Sequence, residues 1–305
     1  MTSAEYLTPP HPANDPRPQL LVVGLGYAGS ALAELAAEGG WRVLGTSRAP
    51  ESAPKPPPGV ELIAFARAGD ILPRTTHVLQ TAPPGEQGDA ALAQHGAALA
   101  TGPLRWAGLL STTGVYGDRG GSWVDEDTPP APTGPRGERR LAAELQWAAA
   151  FARCPVDLFR VAGIYGPGRS PFAELRAGRG RRVDKPGHLF GRIHRDDIAG
   201  AVWAAMRQER APGARVLNLN DDEPAANAEV VAETARLLGL APPPLVPFAE
   251  AAQAMSPMAR SFWAENRRVA SRKTQAALGY RWRYPTYREG LRAILEQERA
   301  DRRPE

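Results

Sequence analysis

A glycine-rich turn between an apolar strand and a helix is the feature that most constrains this fold. Gly24, Gly26 and Gly29 follow the apolar run LLVV at the spacing G-x-G-x-x-G, and an alanine-rich helical stretch continues to about residue 38. A dinucleotide-binding motif needs this context, because its glycines permit a tight turn, close approach of a pyrophosphate and close helix packing. The helix start then offers backbone amides to the anion. The sequence therefore predicts cofactor contacts along the whole turn, at Gly24, Leu25, Gly26, Tyr27, Ala28 and Gly29.

The end of the second apolar run predicts which dinucleotide binds. That run ends in Gly-Thr-Ser-Arg, with Ser47 and Arg48 where an NAD site usually places an acid that holds the ribose hydroxyls. An acid would repel a ribose 2′-phosphate, whereas Arg48 can bind it through charge-assisted hydrogen bonds. The sequence thus favours NADP over NAD, with an FAD site less favoured still. The alternative is a solvated loop arginine in an arginine-rich protein.

The alternation of apolar runs with helical stretches predicts an α/β fold with a doubly wound parallel sheet, that is, a Rossmann fold. A proline-rich segment over residues 1–18 is expected to be a disordered tail. We predict the dinucleotide-binding domain over residues 19–165. Residues 166–305 are predicted to form a smaller C-terminal substrate-binding region that contributes one late strand, VLNLN, to the sheet.

Composition narrows the classes of function. No run of about 18 apolar residues is present, and the first residues lack the pattern of a secretory signal. Cys154 is the single cysteine, which favours a reducing cytoplasm and predicts no metal site. The formal charge of +4 comes almost entirely from arginine without a basic helix bearing aromatics, so a small anionic or polar substrate is favoured over nucleic acid or a membrane.

Several motifs in order connect the chain to a known family. The run LLSTTGVYG over residues 109–117 is followed by RVAGIYGPG at 160–168, RIHRDDI at 192–198 and NLN at 218–220. Together they resemble the extended short-chain dehydrogenase/reductases, the group of NAD(P)-dependent epimerases and dehydratases. The run MARSFWAENRRV at 258–269 is similar to an atypical branch of that family, the YeeZ-like proteins. The resemblance spans residues 19 to about 295.

The resemblance implies positions for the reactive end of the site. Register with Val-Tyr-Gly places the family's catalytic hydroxyl on Thr112, with Ser111 as the neighbouring alternative. The family's Tyr-x-x-x-Lys pair falls on Arg136 and Arg140, so the implied catalytic set is Thr112, Arg136 and Arg140. Arg140 can also contact the nicotinamide ribose. Further cofactor contacts are implied at Thr81, Ala82, Ala162 and Gly163.

The replacement of the tyrosine removes the family's usual proton shuttle, because arginine stays protonated in proteins. Gly134, Pro135 and Gly137 make the start of this helix poorly defined, yet no shift of register supplies a tyrosine. Sugar dehydration is disfavoured, since Thr-Gly follows Thr112 where dehydratases carry Asp-Glu. Substitute proton donors are conceivable, but each has a more ordinary structural explanation: Tyr116, Tyr165, Asp125 and His194.

The sequence therefore predicts an NADP-dependent oxidoreductase or epimerase of a small polar, nucleotide-sugar-like substrate, acting as a monomer or homodimer. Arginines of the C-terminal run would grip an anionic substrate and its aromatic pair would pack on a ring, or they would serve ordinary helix packing: Arg260, Arg267, Arg268, Phe262 and Trp263. The alternative function is a degenerate regulatory or sensor protein that holds NADP without turnover.

Overall fold

The computed structural model describes residues 17–302 of the chain. Strands and helices largely alternate between residues 19 and 219, as the apolar pattern predicts. In chain order the strands are β1 Gln19–Val23, β2 Arg42–Ser47, β3 Val60–Ala64, β4 His77–Gln80, β5 Trp106–Thr112, β6 Trp123–Val124, β7 Pro155–Val161, β8 Gly163–Tyr165, β9 Arg182–Asp184, β10 Arg192–His194, β11 Gly213–Leu219, β12 Leu245–Pro247 and β13 Arg268–Val269.

The helices form the outer layers of the molecule. In chain order they are α1 Tyr27–Glu38, α2 Ala90–Thr101, α3 Pro135–Ala150, α4 Phe172–Arg176, α5 Arg195–Met206, α6 Asn227–Leu238, α7 Phe248–Ala251, α8 Pro257–Ser261, α9 Arg272–Leu278 and α10 Tyr287–Ala300. None of them is long and apolar enough to cross a membrane, within residues 17–302.

Seven strands form one parallel sheet in the order β11-β7-β5-β4-β1-β2-β3. The chain runs outward from β1 in both directions, so the strand order reverses between β1 and β4. In open parallel sheets a ligand binds at such a switch point, outside the carboxyl ends of the strands. All seven strands end at the same edge, which is where the predicted site residues lie.

Two apolar layers bury the two faces of this sheet. Alternate residues of β1 point to opposite faces: Leu20 and Val22 pack with α1 and α5, whereas Leu21 and Val23 pack with α2 and α3. A strand buried on both faces has to be continuously apolar, which explains the run LLVV. The fold is therefore the doubly wound Rossmann fold that the sequence predicts.

The C-terminal residues complete the structure through short pairings that the sequence pattern did not reveal. Two-stranded parallel sheets join β8 to β10, β9 to β12 and β6 to β13. A separate apolar cluster lies between α6 and α10 and includes Tyr165, Phe172 and Tyr287. The late strand β11 lies beside β7 in the main sheet. The proposed boundary at residue 165 stays a prediction, and residues 1–16 of the predicted tail lie outside the described range.

Candidate functional site

The glycine turn has the geometry that a pyrophosphate cradle needs. Gly24 has φ +87°, and a Cβ there would come within 2.9 Å of the Ala82 side chain, so only glycine fits. A Cβ at Gly29 would lie 3.0 Å from Val22, which shows how closely α1 approaches β1. Gly26 is exposed, and a Cβ there would meet only the carbonyl of Gly24, at 4.0 Å. The space in front of Gly26 is therefore open to a ligand.

The start of helix α1 is suited to an anion. Gly26 is its N-cap and makes no side-chain capping bond, and no acidic residue lies in the first turn. The amino end of a helix carries partial positive charge and free amide donors. Tyr27 donates its hydroxyl to the Pro167 carbonyl at 2.8 Å, and the guanidinium of Arg195 lies 5.1 Å from its ring. This contact fixes the turn against the segment that follows β8.

The end of β2 offers a cation beside this cradle. Arg48 is exposed, and residues 17–302 provide no hydrogen-bond or ion-pair partner for its guanidinium. Ser47 accepts a hydrogen bond from the amide of Ala49 at 3.2 Å. One residue earlier, the Thr46 hydroxyl accepts from the amide of Gly24 at 3.0 Å, which joins the end of β2 to the glycine turn. Ser47 and Arg48 thus lie at the end of β2, beside the glycine turn.

The other predicted cofactor residues follow the ends of neighbouring strands. Thr81 and Ala82 come after β4, and both donate their amides to the Val23 carbonyl. The Thr81 hydroxyl also donates to the Gly24 carbonyl. Ala162 and Gly163 follow β7 at the far side of Thr112. From β2 to β5 the edge spans three strand spacings, about 14 Å, so the structure arranges the predicted residues along one continuous edge.

Thr112 and Ser111 take different roles at the end of β5. Thr112 is half-buried, and its hydroxyl oxygen accepts from the amide of Gly114 at 3.1 Å. Residues 17–302 provide no acceptor for its O–H proton, which leaves this proton available for a ligand. Ser111 is 5% exposed and donates its own hydroxyl to the Glu144 carboxylate at 2.5 Å. Of the two hydroxyls that the sequence left open, Thr112 is the one available at the strand end.

A buried polar network lies beneath Thr112. Glu144 in α3 is 2% exposed and pairs with Arg160 of β7, with Nη2 to Oε2 at 2.8 Å. The Arg160 guanidinium also lies over the ring of Tyr116, whose hydroxyl donates to Asn218 at 2.8 Å. The network therefore links Ser111 through Glu144, Arg160 and Tyr116 to β11. Sequence reasoning missed it, because its members lie up to 107 positions apart and no local pattern joins them.

The two arginines that replace the family's tyrosine and lysine lie in different surroundings. Arg140 is half-buried and donates Nη1 to the Leu110 carbonyl at 2.7 Å. Burial, together with the charge of Arg136, lowers the pKa of Arg140 to about 10. Arg136 is exposed, and its guanidinium stacks 5.3 Å from the ring centre of Phe262. The helix begins at Pro135, so Arg136 lies in its first turn and Arg140 one turn further on.

The substitute proton donors considered from the sequence all have structural roles. His194 caps α5 by accepting from the amide of Asp196 at 3.2 Å, and burial lowers its pKa to about 4. Tyr165 is buried against α10, where burial raises its pKa. Tyr116 belongs to the buried network, and Asp125 pairs with Lys273 at 2.6 Å.

The arginines and aromatic residues of the C-terminal run separate in the structure. Trp263 is buried and packs on Phe190, His188 and Phe248, so its ring serves the core. Phe262 is 54% exposed, and the guanidinium of Arg136 lies over its ring. The three arginines point to different neighbours: Arg260 donates to Met255, Arg267 donates to Gly117, and Arg268 lies in β13.

A second buried carboxyl, Asp221, follows strand β11. It is 1% exposed, and both of its oxygens lack a hydrogen-bond partner among the described residues. Desolvation raises the pKa of this carboxyl well above its ordinary value, although Arg192 nearby acts in the opposite direction. No sequence pattern signals this residue, because it follows an ordinary strand.

We predict that Asp221→Asn stabilises the protein near neutral pH. With a raised pKa the folded state binds a proton more tightly than the unfolded chain, so wild-type stability falls as pH rises from about 4. The variant lacks this titration, so we expect it to be more stable than wild type at pH 7 and less sensitive to pH. Thermal unfolding at pH 5 and pH 8 measures the effect. A variant as pH-dependent as wild type would contradict it.

Metal chemistry has no visible support in the described part of the chain. No group of three or more metal-ligating side chains is found over residues 17–302, and Cys154 is buried without a disulfide partner. Burial also raises the pKa of this thiol to about 11. The site is accordingly built from backbone amides, hydroxyls and guanidinium groups.

Comparison with known proteins places these features in a family context. No family model matches the chain. Protein YeeZ of Escherichia coli K12 is 33% identical over 136 residues, which cover 44% of this chain and 47% of YeeZ. A 3-diazoavenalumate denitrifying reductase of a Streptomyces species is 32% identical over 179 residues, 55% of this chain and 58% of the enzyme. The chain thus spans about half the length of the curated relatives it matches.

Solved structures match over nearly the whole chain. A conserved protein of unknown function from Silicibacter pomeroyi DSS is 43% identical, with TM-score 0.83 and coverage of 92% of this chain and 99% of that one. A protein from Methylobacillus flagellatus, provisionally named a NAD-dependent epimerase/dehydratase, is 26% identical with TM-score 0.70 and coverage of 92% and 99%. MoeE5, solved with UDP-glucuronic acid and NAD, is 25% identical with TM-score 0.75 and coverage of 93% and 99%.

Proposed function

We propose that this chain, which belongs to the extended short-chain dehydrogenase/reductase family and is epimerase/dehydratase-like, is an NADP(H)-dependent reductase of a small polar substrate. The observation that carries the proposal is an open glycine cradle at Gly26 together with the guanidinium of Arg48, which has no hydrogen-bond or ion-pair partner within residues 17–302. The first suits a pyrophosphate, and the second suits an additional phosphate on the adenosine ribose.

The preference for NADP rests on charge at the end of β2. The position that reads the ribose carries Arg48 and no acid, and the neighbouring Ser47 adds a hydroxyl. A 2′-phosphate would receive charge-assisted hydrogen bonds from both side chains. NAD lacks that phosphate and would leave the Arg48 guanidinium in solvent, so it gains nothing from this residue.

At the reactive end, Thr112 and Arg140 are the residues that would face the nicotinamide and the substrate. Reduced nicotinamide, when bound, supplies a hydride. The hydroxyl of Thr112 would donate its free proton in a hydrogen bond to the substrate oxygen, and the half-buried guanidinium of Arg140 would keep this end positive. Epimerisation and dehydration need a group that accepts and returns a proton, and Arg136 cannot do so. Reduction of a carbonyl needs no group that takes a proton from the substrate: the hydride would come from the nicotinamide, and solvent water can give one proton to the product oxygen. Reduction is therefore the proposed reaction.

The substrate we propose is small and polar, with nucleotide sugars as the first class to test. Two similarities support a small polar substrate. MoeE5 was solved with UDP-glucuronic acid, and the Streptomyces relative is named a 3-diazoavenalumate denitrifying reductase. The exposed ring of Phe262 beside Arg136 offers a flat surface for a planar group.

The proposal predicts that Thr112→Val lowers turnover without changing cofactor affinity. Removal of one hydrogen-bond donor at a developing oxyanion costs about 10²–10³-fold in rate. NADPH oxidation is followed by absorbance with nucleotide sugars and carbonyl compounds, and NADPH affinity by fluorescence. Thr112→Ser is the matched control, because it keeps the hydroxyl and should retain most of the rate. Full activity of the valine variant would contradict the role of Thr112.

One observation favours a second function. The loss of the tyrosine and lysine at Arg136 and Arg140 also suits a protein that senses the redox state by binding NADP without turnover. Both functions predict that the protein quenches and shifts NADPH fluorescence. Only the reductase predicts oxidation of NADPH by a substrate, so failure of every compound in the assay together with tight binding would favour the sensor.

A further inference from the structure

A short segment over residues 265–267, which we call the clasp, crosses the turn that contains Thr112 and Gly114. Arg267 lies at its centre: Nη1 donates to the Gly117 carbonyl at 2.8 Å and to the Glu265 carboxylate at 2.5 Å. The other carboxylate oxygen of Glu265 accepts from the Thr133 hydroxyl at 2.5 Å. One edge of the guanidinium is therefore fixed and partly neutralised.

The other edge of Arg267 faces the reactive end of the site. Its Nη2 atom lies 3.9 Å from the point where a Cβ at Gly114 would stand, and the Thr112 hydroxyl oxygen lies 3.5 Å from the same point. Both atoms thus border one small volume beside Gly114. No hydrogen-bond partner for Nη2 occurs within residues 17–302, and the Arg267 side chain is 16% exposed.

Asn266 holds the clasp in place. Its amide donates to the Asp118 carboxylate at 2.8 Å, and its side-chain nitrogen donates to the Gly187 carbonyl at 2.9 Å. Its backbone and side-chain oxygens accept three amide bonds, from Arg119 at 3.0 Å, Gly121 at 2.9 Å and Leu189 at 3.2 Å. One half-buried asparagine therefore joins the loop after β5 to the loop before β10, and positions Arg267 from both sides.

From this geometry we infer that Arg267 is the substrate's oxyanion receptor, and that Asn266 is its positioning residue. A guanidinium edge with a free N–H beside a hydroxyl donor matches a carboxylate or phosphate oxygen. Arg136 and Arg140 add positive charge from α3, against the carboxylates of Glu265 and Asp118. The other two arginines of the run are unsuited: Arg260 is exposed beside Met255, and the Arg268 Nε atom is buried in β13. The substrate therefore carries an anionic group next to its reacting carbon.

This inference rests on the proposed function, and it is tested by anion binding to the full-length protein. The protein is first saturated with NADPH, so that the glycine turn is filled. Inorganic phosphate and malonate are then added at ionic strength balanced with sodium chloride, and affinity is read by calorimetry and by the unfolding temperature. Phosphate and malonate distinguish a phosphate from a carboxylate ligand.

We expect Arg267→Met to weaken binding of the preferred anion at least tenfold, and Arg267→Lys to restore part of it. Asn266→Ala should weaken anion binding while leaving the affinity for NADPH within twofold of wild type. An unfolded variant would lose NADPH binding as well. Arg207→Met is the matched control, because Arg207 stacks on Trp203, which packs on Trp41 at the opposite edge of the sheet.

Two results would overturn the inference: absence of anion binding to the NADPH-saturated wild type, or equal binding by wild type and Arg267→Met. Failure of the proposed function has a different signature, because NADPH itself would then not bind. In that case phosphate and malonate are added to the cofactor-free wild type and to Arg267→Met. Weaker anion binding by the variant supports the inference, and equal binding by both proteins overturns it.

Discussion

Replacing Arg48 by glutamate is expected to weaken NADPH binding by about 100-fold or more, while NADH affinity changes by less than about threefold. The variant removes charge-assisted hydrogen bonds worth about 1.5–3 kcal/mol and adds repulsion between a carboxylate and the 2′-phosphate. NADH has no group at that position. Because Arg48 is exposed and makes no hydrogen bond or ion pair with another described side chain, the substitution should leave the fold intact.

Fluorescence titration with both nucleotides measures the two affinities. Arg299→Glu is the matched control, since it makes the same change of charge on the exposed surface of α10 and should leave both affinities unchanged. Equal losses for NADPH and NADH in the Arg48 variant would show that this side chain does not read the 2′-phosphate.

The largest expected effect on stability comes from Glu144→Ala, about 3–5 kcal/mol. Removing one partner of a buried ion pair leaves the other charge uncompensated, and Arg160 is only 4% exposed. Ser111 loses its acceptor at the same time. Urea unfolding of wild type and variant, with unchanged slope, gives the difference in the free energy of unfolding.

Two variants control this measurement. Glu138→Ala lies on the exposed part of the same helix and should change stability by less than about 0.5 kcal/mol. The double variant Glu144→Ala with Arg160→Met should be more stable than the single Glu144→Ala variant, because no unpaired charge stays buried. If the free energy of unfolding of the Glu144→Ala variant lies within about 1 kcal/mol of the wild-type value, the network contributes little to stability.

The cofactor end of the site could be predicted because its determinants are local. The glycine spacing, the strand before it and the helix after it occupy about 20 consecutive residues, so the sequence alone fixes the turn and the start of α1. Arg48 follows at the end of the next strand, and a parallel sheet necessarily brings that end beside the turn. The order of apolar runs is what made the doubly wound sheet predictable.

The reactive end could be predicted only in part, because contacts distant in sequence decide it. Thr112 was identified by register with a motif, yet its separation from Ser111 depends on Glu144 in another helix. Asn266 looks unremarkable in the sequence and becomes important only because three loops meet at its side chain and backbone. Contacts distant in sequence also bury the carboxyl of Asp221, which has no hydrogen-bond partner among the described residues, and form the short paired strands.

We propose that the turn at Gly24 and the guanidinium of Arg48 together bind NADP(H). Titration of the wild-type protein with NADPH and with NADH, each followed by nucleotide fluorescence at fixed ionic strength, tests this most directly. We predict saturable binding of NADPH that is at least about 30-fold tighter than that of NADH, which corresponds to about 2 kcal/mol. Absence of binding by either nucleotide, or tighter binding of NADH, would contradict the claim.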